Sequence, residues 1–182
     1  MKNLFFLLLL GSIFSTTLHS QSSPKAELGL QFSSLDRFSV VYKKRVKDQR
    51  YWTFSAGLIA LEVEAKPNTQ QQLGVGGSIQ YEKRKRINQR VEFIHGPGFG
   101  LFGNYQRDDN NNSWNTSIGF DYLLGARFSL VKELALSINL YPGLGMIYEK
   151  SESGNFVREE IRYRFSARSN FASIGLFYCF GD

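Results

Sequence analysis

From residue 26 onward, apolar and polar residues alternate with a period of two in one segment after another. This constrains the fold more than any other feature, because period two puts successive side chains on opposite faces of a β-strand. Ala26, Leu28, Leu30 and Phe32 alternate with Glu27, Gly29, Gln31 and Ser33. The last segment, "FASIGLFYCFGD", repeats the pattern: Ala172, Ile174, Leu176, Tyr178 and Phe180 share one parity, while Ser173, Gly175, Phe177 and Cys179 share the other.

Between these two segments the pattern predicts six more strands. Phe38, Val40 and Tyr42 oppose Ser39, Val41 and Lys43; Trp52, Phe54, Ala56, Leu58 and Ala60 oppose Thr53, Ser55, Gly57, Ile59 and Leu61. A fourth strand sets Leu73, Val75, Ile79 and Tyr81 against Gln72, Ser78, Gln80 and Glu82, and a fifth runs from Arg90 to about Gln106. The sixth carries Ile118, Phe120, Tyr122 and Leu124 opposite Ser117, Asp121 and Arg127, with Leu123 as the exception; the seventh alternates Leu134, Leu136, Ile138 and Leu140 with Ala135, Ser137, Asn139 and Tyr141. Taking 161–180 as one strand across Arg168-Ser169-Asn170 gives eight. Short connections are expected at Lys47–Gln49, near Arg86–Gln89 and at Val131–Glu133. Longer or more polar ones are expected at Lys66–Gln70, Arg107–Ser113 ("RDDNNNS") and Glu149–Glu160.

Lys2, the apolar run Leu4–Phe14 and the small polar stretch that follows read as a secretory signal peptide over residues 1–20, leaving a single domain over 21–182. The mature chain has no apolar run of the roughly 18 to 20 residues that a spanning helix needs. An exported chain with no such helix can cross a bilayer only as a closed barrel, the other structure that satisfies its own backbone polar groups in lipid. Cys179 is the sole cysteine, so no intramolecular disulfide can form and there is no lipidated N-terminal cysteine. The formal charge of +6, or +5 once Lys2 is removed, suits anionic headgroups and is too diffuse to point to nucleic acid.

The predicted fold is therefore all-β: an eight-stranded antiparallel up-and-down transmembrane β-barrel behind a signal peptide. Most of the strands reach the roughly 9 to 11 residues that tilted spanning requires, and short turns alternate with longer loops as they do between the periplasmic and external sides of outer-membrane barrels. Eight strands leave room inside only for side chains. Glu27, Glu82, Glu92 and Asp121 are expected to meet Lys43, Arg45 and Arg127 there in a polar lumen network, with Ile174, Leu176, Tyr178 and Phe180 turned to lipid and Cys179 turned inward. The closing strand should pair with 26–33. Trp52, Tyr81, Tyr105, Trp114, Tyr148 and Phe180 fall near strand ends, where amphipathic rings favour the headgroup zone.

Over Ala26–Phe180 this pattern resembles the small eight-stranded outer-membrane barrels of Gram-negative bacteria, and is similar in architecture to the OmpA and OmpX transmembrane barrels. The likeness is one of pattern rather than identity, and the Gly181-Asp182 tail departs from the family's usual aromatic ending. It implies an outer-membrane location, contact with lipid and lipopolysaccharide, recognition by the barrel-insertion machinery, and a structural or loop-mediated role without catalysis, the loop partner being unspecified.

Motifs that suggest chemistry are sparse. His95 is the one histidine of the mature chain, and a lipid A-modifying enzyme would have to use it with a serine or carboxylate such as Ser117, Ser137 or Glu92. Its parity, however, is that of the lipid-facing Val91, Phe93, Phe99 and Leu101. "GPGFG", Gly96–Gly100, lacks the lysine and the helix start of a phosphate loop and reads as a bend, with Pro97 disturbing one ladder bond. "KRKR", Lys83–Arg86, reads as a solvated basic turn. One histidine and one cysteine offer no metal-ligand spacing, so neither metal nor cofactor is expected. Two alternatives stay open: the His95 enzyme, and a secreted lipocalin-like barrel with its apolar residues turned inward around a ligand.

Overall fold

The computed structural model describes residues 24–34, 37–63, 71–108, 111–153, 156–165 and 172–181. The predicted signal peptide, the Lys66–Thr69 loop and Arg168-Ser169-Asn170 lie outside the described residues.

Among the described residues ten β-strands follow one another: β1 (Ala26–Ser34), β2 (Arg37–Lys47), β3 (Arg50–Val63), β4 (Gln71–Arg86), β5 (Val91–Asp108), β6 (Asn111–Val131), β7 (Leu134–Leu140), β8 (Gly143–Ser153), β9 (Phe156–Phe165) and β10 (Ala172–Phe180). All ladders are antiparallel, and consecutive strands from β1 to β6 pair as neighbours. The second edge of β6 is shared, Leu124–Val131 pairing with β7 and Asn111–Asp121 with β8. β7 and β8 are thus two halves of one stave, broken at Tyr141-Pro142, where proline has no N–H to give the ladder. β9 continues the sheet beside β8, and β10 beside β7, as halves of the last stave. β10 then pairs with β1 from Ala26↔Phe180 to Phe32↔Ile174. The ring closes as an eight-stave antiparallel up-and-down barrel.

Closure removes sheet edges, and alternation assigns the two faces. β10 reads exposed-buried without exception, with Ile174, Leu176, Tyr178 and Phe180 outward and Ser173, Gly175, Phe177 and Cys179 inward. Phe32, Val40, Phe54, Val75, Leu101, Phe120 and Ile138 continue the exposed apolar set around the ring.

Three expected loops are instead largely strand. "KRKR" completes β4. "RDDNNNS" belongs mostly to a hairpin paired out to Asp108↔Asn111, and Glu149–Glu160 to one paired out to Ser153↔Phe156. Polar composition suggests a loop, but once a hairpin is started its backbone ladder carries the pairing into water without an apolar face. Exposed ion pairs such as Lys150–Glu152 at 2.9 Å and Arg158–Glu160 at 3.0 Å decorate the second hairpin; pairs of this kind contribute little.

At the other end the connections are tight: Asp48-Gln49, Ile87–Arg90 and Lys132-Glu133. Asn88 Oδ1 accepts from the Arg90 and Val91 N–H groups at 2.9 and 2.8 Å, the asparagine turn chemistry that reverses the chain in few residues. Ala26 and Phe180 lie at this short-turn end.

Opposite Gly96 and Pro97 the β4–β5 ladder has a gap between Gln80↔Gly98 and Lys83↔His95. Gly96 has φ +154°, and a Cβ there would run into the Tyr81 carbonyl oxygen. The glycine is therefore required by a close backbone approach, which fits the reading of "GPGFG" as a local disturbance of the ladder.

Candidate functional site

Inward parity brings charged residues from five strands together just inside the short-turn end. Lys43 on β2 donates through Nζ to Glu82 Oε2 on β4 at 2.7 Å. Arg84, two residues further along β4, donates through Nε to the other oxygen of Glu82 at 2.6 Å and through Nη1 to Glu27 Oε1 on β1 at 2.6 Å. Arg127 on β6 reaches the same Glu27 oxygen at 3.0 Å through Nη2 and Glu92 Oε2 on β5 at 3.2 Å through Nη1. Arg84 Nη1 lies 3.6 Å from that Glu92 oxygen, which completes a loop of alternating sign.

Lys43, Arg84 and Arg127 balance Glu27, Glu82 and Glu92, so the cluster is neutral by its formal charges. Glu27 and Glu82 are fully buried and the other four nearly so. Burial explains why neutrality matters: an unpaired ion inside a protein costs several kcal/mol, and the attraction of a well-placed partner roughly offsets this without adding much net stability. In the observed register the cluster ties β1, β2, β4, β5 and β6 together with each of its six charges facing an opposite one.

Aromatic and sulfur groups line the cluster. The Arg84 guanidinium sits 3.5 Å from the Tyr51 ring centroid, close enough for a cation–π contact. Tyr51 in turn donates its hydroxyl to the Pro24 carbonyl at 2.9 Å. Lys43 Nζ lies 4.3 Å over the Phe177 ring, and Arg127 Nη2 lies 3.1 Å from Cys179 Sγ. Phe177 fills the interior above Gly175 and Gly29, where any Cβ would meet its ring. Val41, Ala135, Phe177 and Cys179 form one small apolar cluster, and Ile94, Leu123 and Tyr141 another.

Of the seven interior residues expected from sequence, Glu27, Lys43, Glu82, Glu92 and Arg127 meet in this cluster. Asp121 is buried elsewhere, its Oδ1 accepting from Gln80 Nε2 at 3.3 Å. Arg45 is half-exposed at the end of β2, where its backbone N–H donates to Lys25. Arg84 and Tyr51 are central and were not expected. The run Lys83-Arg84-Lys85-Arg86 has no apolar contrast to reveal its faces, yet extending the parity of Tyr81 and Glu82 by two residues turns Arg84 inward.

His95 occupies the outward face. Its Nδ1 is 2.8 Å from the Tyr122 hydroxyl, and its ring lies between those of Phe93 and Tyr122 at 5.5 and 6.1 Å. Glu92 and Ser137 are buried on the inner face, and Ser117 shares their side of the sheet. None of these three candidate partners is on the face that His95 occupies. Among the described residues no group of three or more His, Cys, Asp or Glu is gathered as a metal site.

No protein-family model matches the chain, and no curated protein matches it.

Proposed function

We propose that the chain is a non-enzymatic integral outer-membrane barrel of Gram-negative type, exported by its leader, with a side-chain-filled interior and a structural or loop-mediated role. The observation that carries this is the inverted distribution of polarity: three full ion pairs inside, and an unbroken ring of large apolar side chains outside. Phe120 is 66% exposed, Val75 60% and Leu101 50%. Monomeric soluble proteins rarely expose contiguous apolar patches beyond a few hundred Å², and a carrier of apolar ligands would need the reverse arrangement.

Dimensions agree with this reading. Outward apolar residues run from Leu73 to Tyr81 on β4 and from Phe93 to Tyr105 on β5. At about 3.4 Å per residue and a tilt near 40°, those stretches rise roughly 20 to 30 Å, against an apolar band of about 25 Å in such barrels. Aromatic pairs lie toward both ends of the band, Trp52–Tyr81 with centroids 5.2 Å apart and Tyr105–Trp114 at 4.4 Å. The charged cluster closing the short-turn end argues against a wide conducting channel, and the outward setting of His95 argues against a hydrolytic triad.

Membrane fractionation followed by electrophoresis with and without heating tests the proposal. Recovery with the outer membrane and a heat-dependent change in migration are expected. A soluble protein whose migration is indifferent to heating would overturn it.

A further inference from the structure

The outward face at the short-turn end is electrostatically one-sided. Lys44 and Lys47 on β2, Arg50 on β3, and Lys83 and Lys85 on β4 all turn outward there and are exposed. On the other side of the ring the outward strand positions near that end are apolar, Phe128 and Leu130 on β6, Leu134 and Leu136 on β7, Tyr178 and Phe180 on β10, with Lys132 standing in the turn between β6 and β7.

Register makes the basic patch costly by itself. Lys47 pairs directly with Arg50, and Arg50 with Lys83, so like charges stand opposite each other across three strands. Directly opposed like charges destabilise a sheet. Among the described residues, no ion pair engages any of the five cations. An anion is the missing partner.

The neighbours specify what kind of anion. Trp52 pairs with Lys44 on one side and Tyr81 on the other, and Phe54 and Ile79 follow on the same outward face. Cations, then an amphipathic aromatic pair, then wholly apolar surface is the order that matches a ligand with an anionic head and an apolar tail. Nucleic acid or an acidic peptide would use the cations and leave the adjoining apolar surface uncovered.

We propose that Lys44, Arg50, Lys83 and Lys85, beside Trp52 and Tyr81, form a binding surface for the phosphodiester headgroup of anionic phospholipid in the leaflet at the short-turn end. The inference rests on the membrane reading above. Each basic side chain near an anionic lipid surface contributes about 1 kcal/mol, or about fivefold in affinity.

The test reconstitutes the full mature chain in phosphatidylcholine nanodiscs doped with cardiolipin and counts the lipids retained on the released protein by native mass spectrometry. Enrichment of cardiolipin over phosphatidylcholine is expected, and K44Q/R50Q/K83Q/K85Q is expected to reduce it tenfold or more. A charge-matched control at the opposite end of the barrel, R107Q/K150Q/R158Q/R162Q, should keep the enrichment. Undiminished enrichment in the first variant, or equal loss in the control, would overturn the surface while leaving the membrane reading intact. A wild-type chain that does not enter the nanodisc would overturn both, and that step is scored before any lipid is counted.

Discussion

Arg84 Nη1 lies 2.6 Å from Glu27 Oε1, joining two fully enclosed side chains that are 57 positions apart in the chain. The same guanidinium holds Glu82 and lies over Tyr51, so a single side chain braces β1, β3 and β4 from within.

Removing it should be costly. Arg84→Met leaves Glu27 and Glu82 short of a buried cation, and breaking a buried pair from one side costs about 3 to 5 kcal/mol. Lys83→Gln, its outward neighbour, should stay within about 0.5 kcal/mol in zwitterionic lipid, where no anionic headgroup engages it. Urea unfolding of the two variants in the same lipid measures the contrast, and equal effects would show that Arg84 does not act through the interior.

Gly96 and Gly103 lie on one strand but should respond differently to a methyl group. Gly96→Ala forces a positive φ on an L side chain and drives Cβ against the Tyr81 carbonyl, at a cost of about 2 kcal/mol or more. Around Gly103 the closest atom is 4.0 Å away, so Gly103→Ala should be close to neutral. The temperature at which each variant loses its compact electrophoretic form reports the difference.

Leu101 separates lipid from water as the outer solvent. It is half-exposed on the outward face, where Leu101→Arg would be nearly silent in water. In a bilayer the same change costs about 2 to 4 kcal/mol near the midplane and less toward the interfaces. Unfolding measured in bilayers tells these apart; an effect below about 0.5 kcal/mol would count against the membrane proposal.

Cys179 tests which face is which on the closing strand. It is 7% exposed and turned inward, while Tyr178 beside it is 57% exposed. A water-soluble maleimide should leave the folded wild-type chain unmodified and label it fully after denaturation. Rapid labelling of the folded protein would mean that the interior is open at the level of Arg127.

Much of the fold was legible because alternation depends only on the pleat: the parities of β1, β7 and β10, and the pairing of β10 with β1, follow from it. Strand lengths were less legible. Apolar contrast marks only the part of a strand that has an apolar outer surface, and "RDDNNNS", "KRKR" and Glu149–Glu160 are the parts that run beyond it. The break of one stave at Pro142 was also missed, because both halves keep the same face assignment. Parity suggested the inward residues, whereas selecting those that meet needed the register: Asp121 and Glu92 are equally polar and inward, but only Glu92 reaches an arginine of the cluster.

The seam from Ala26↔Phe180 to Phe32↔Ile174 also sets an order of assembly. Every other ladder links staves that are neighbours along the chain, so pairing can spread by local hairpins, outward from partners such as β5 and β6. The seam joins the first stave to the last and must wait for β10. Until then the sheet has two open edges, each a row of unpaired N–H and C=O groups, and in lipid each such group costs several kcal/mol. Loss of β10 would not give a smaller barrel but an open sheet; if the chain spans a bilayer as proposed, arrival of the final strand is the step that commits it to insertion.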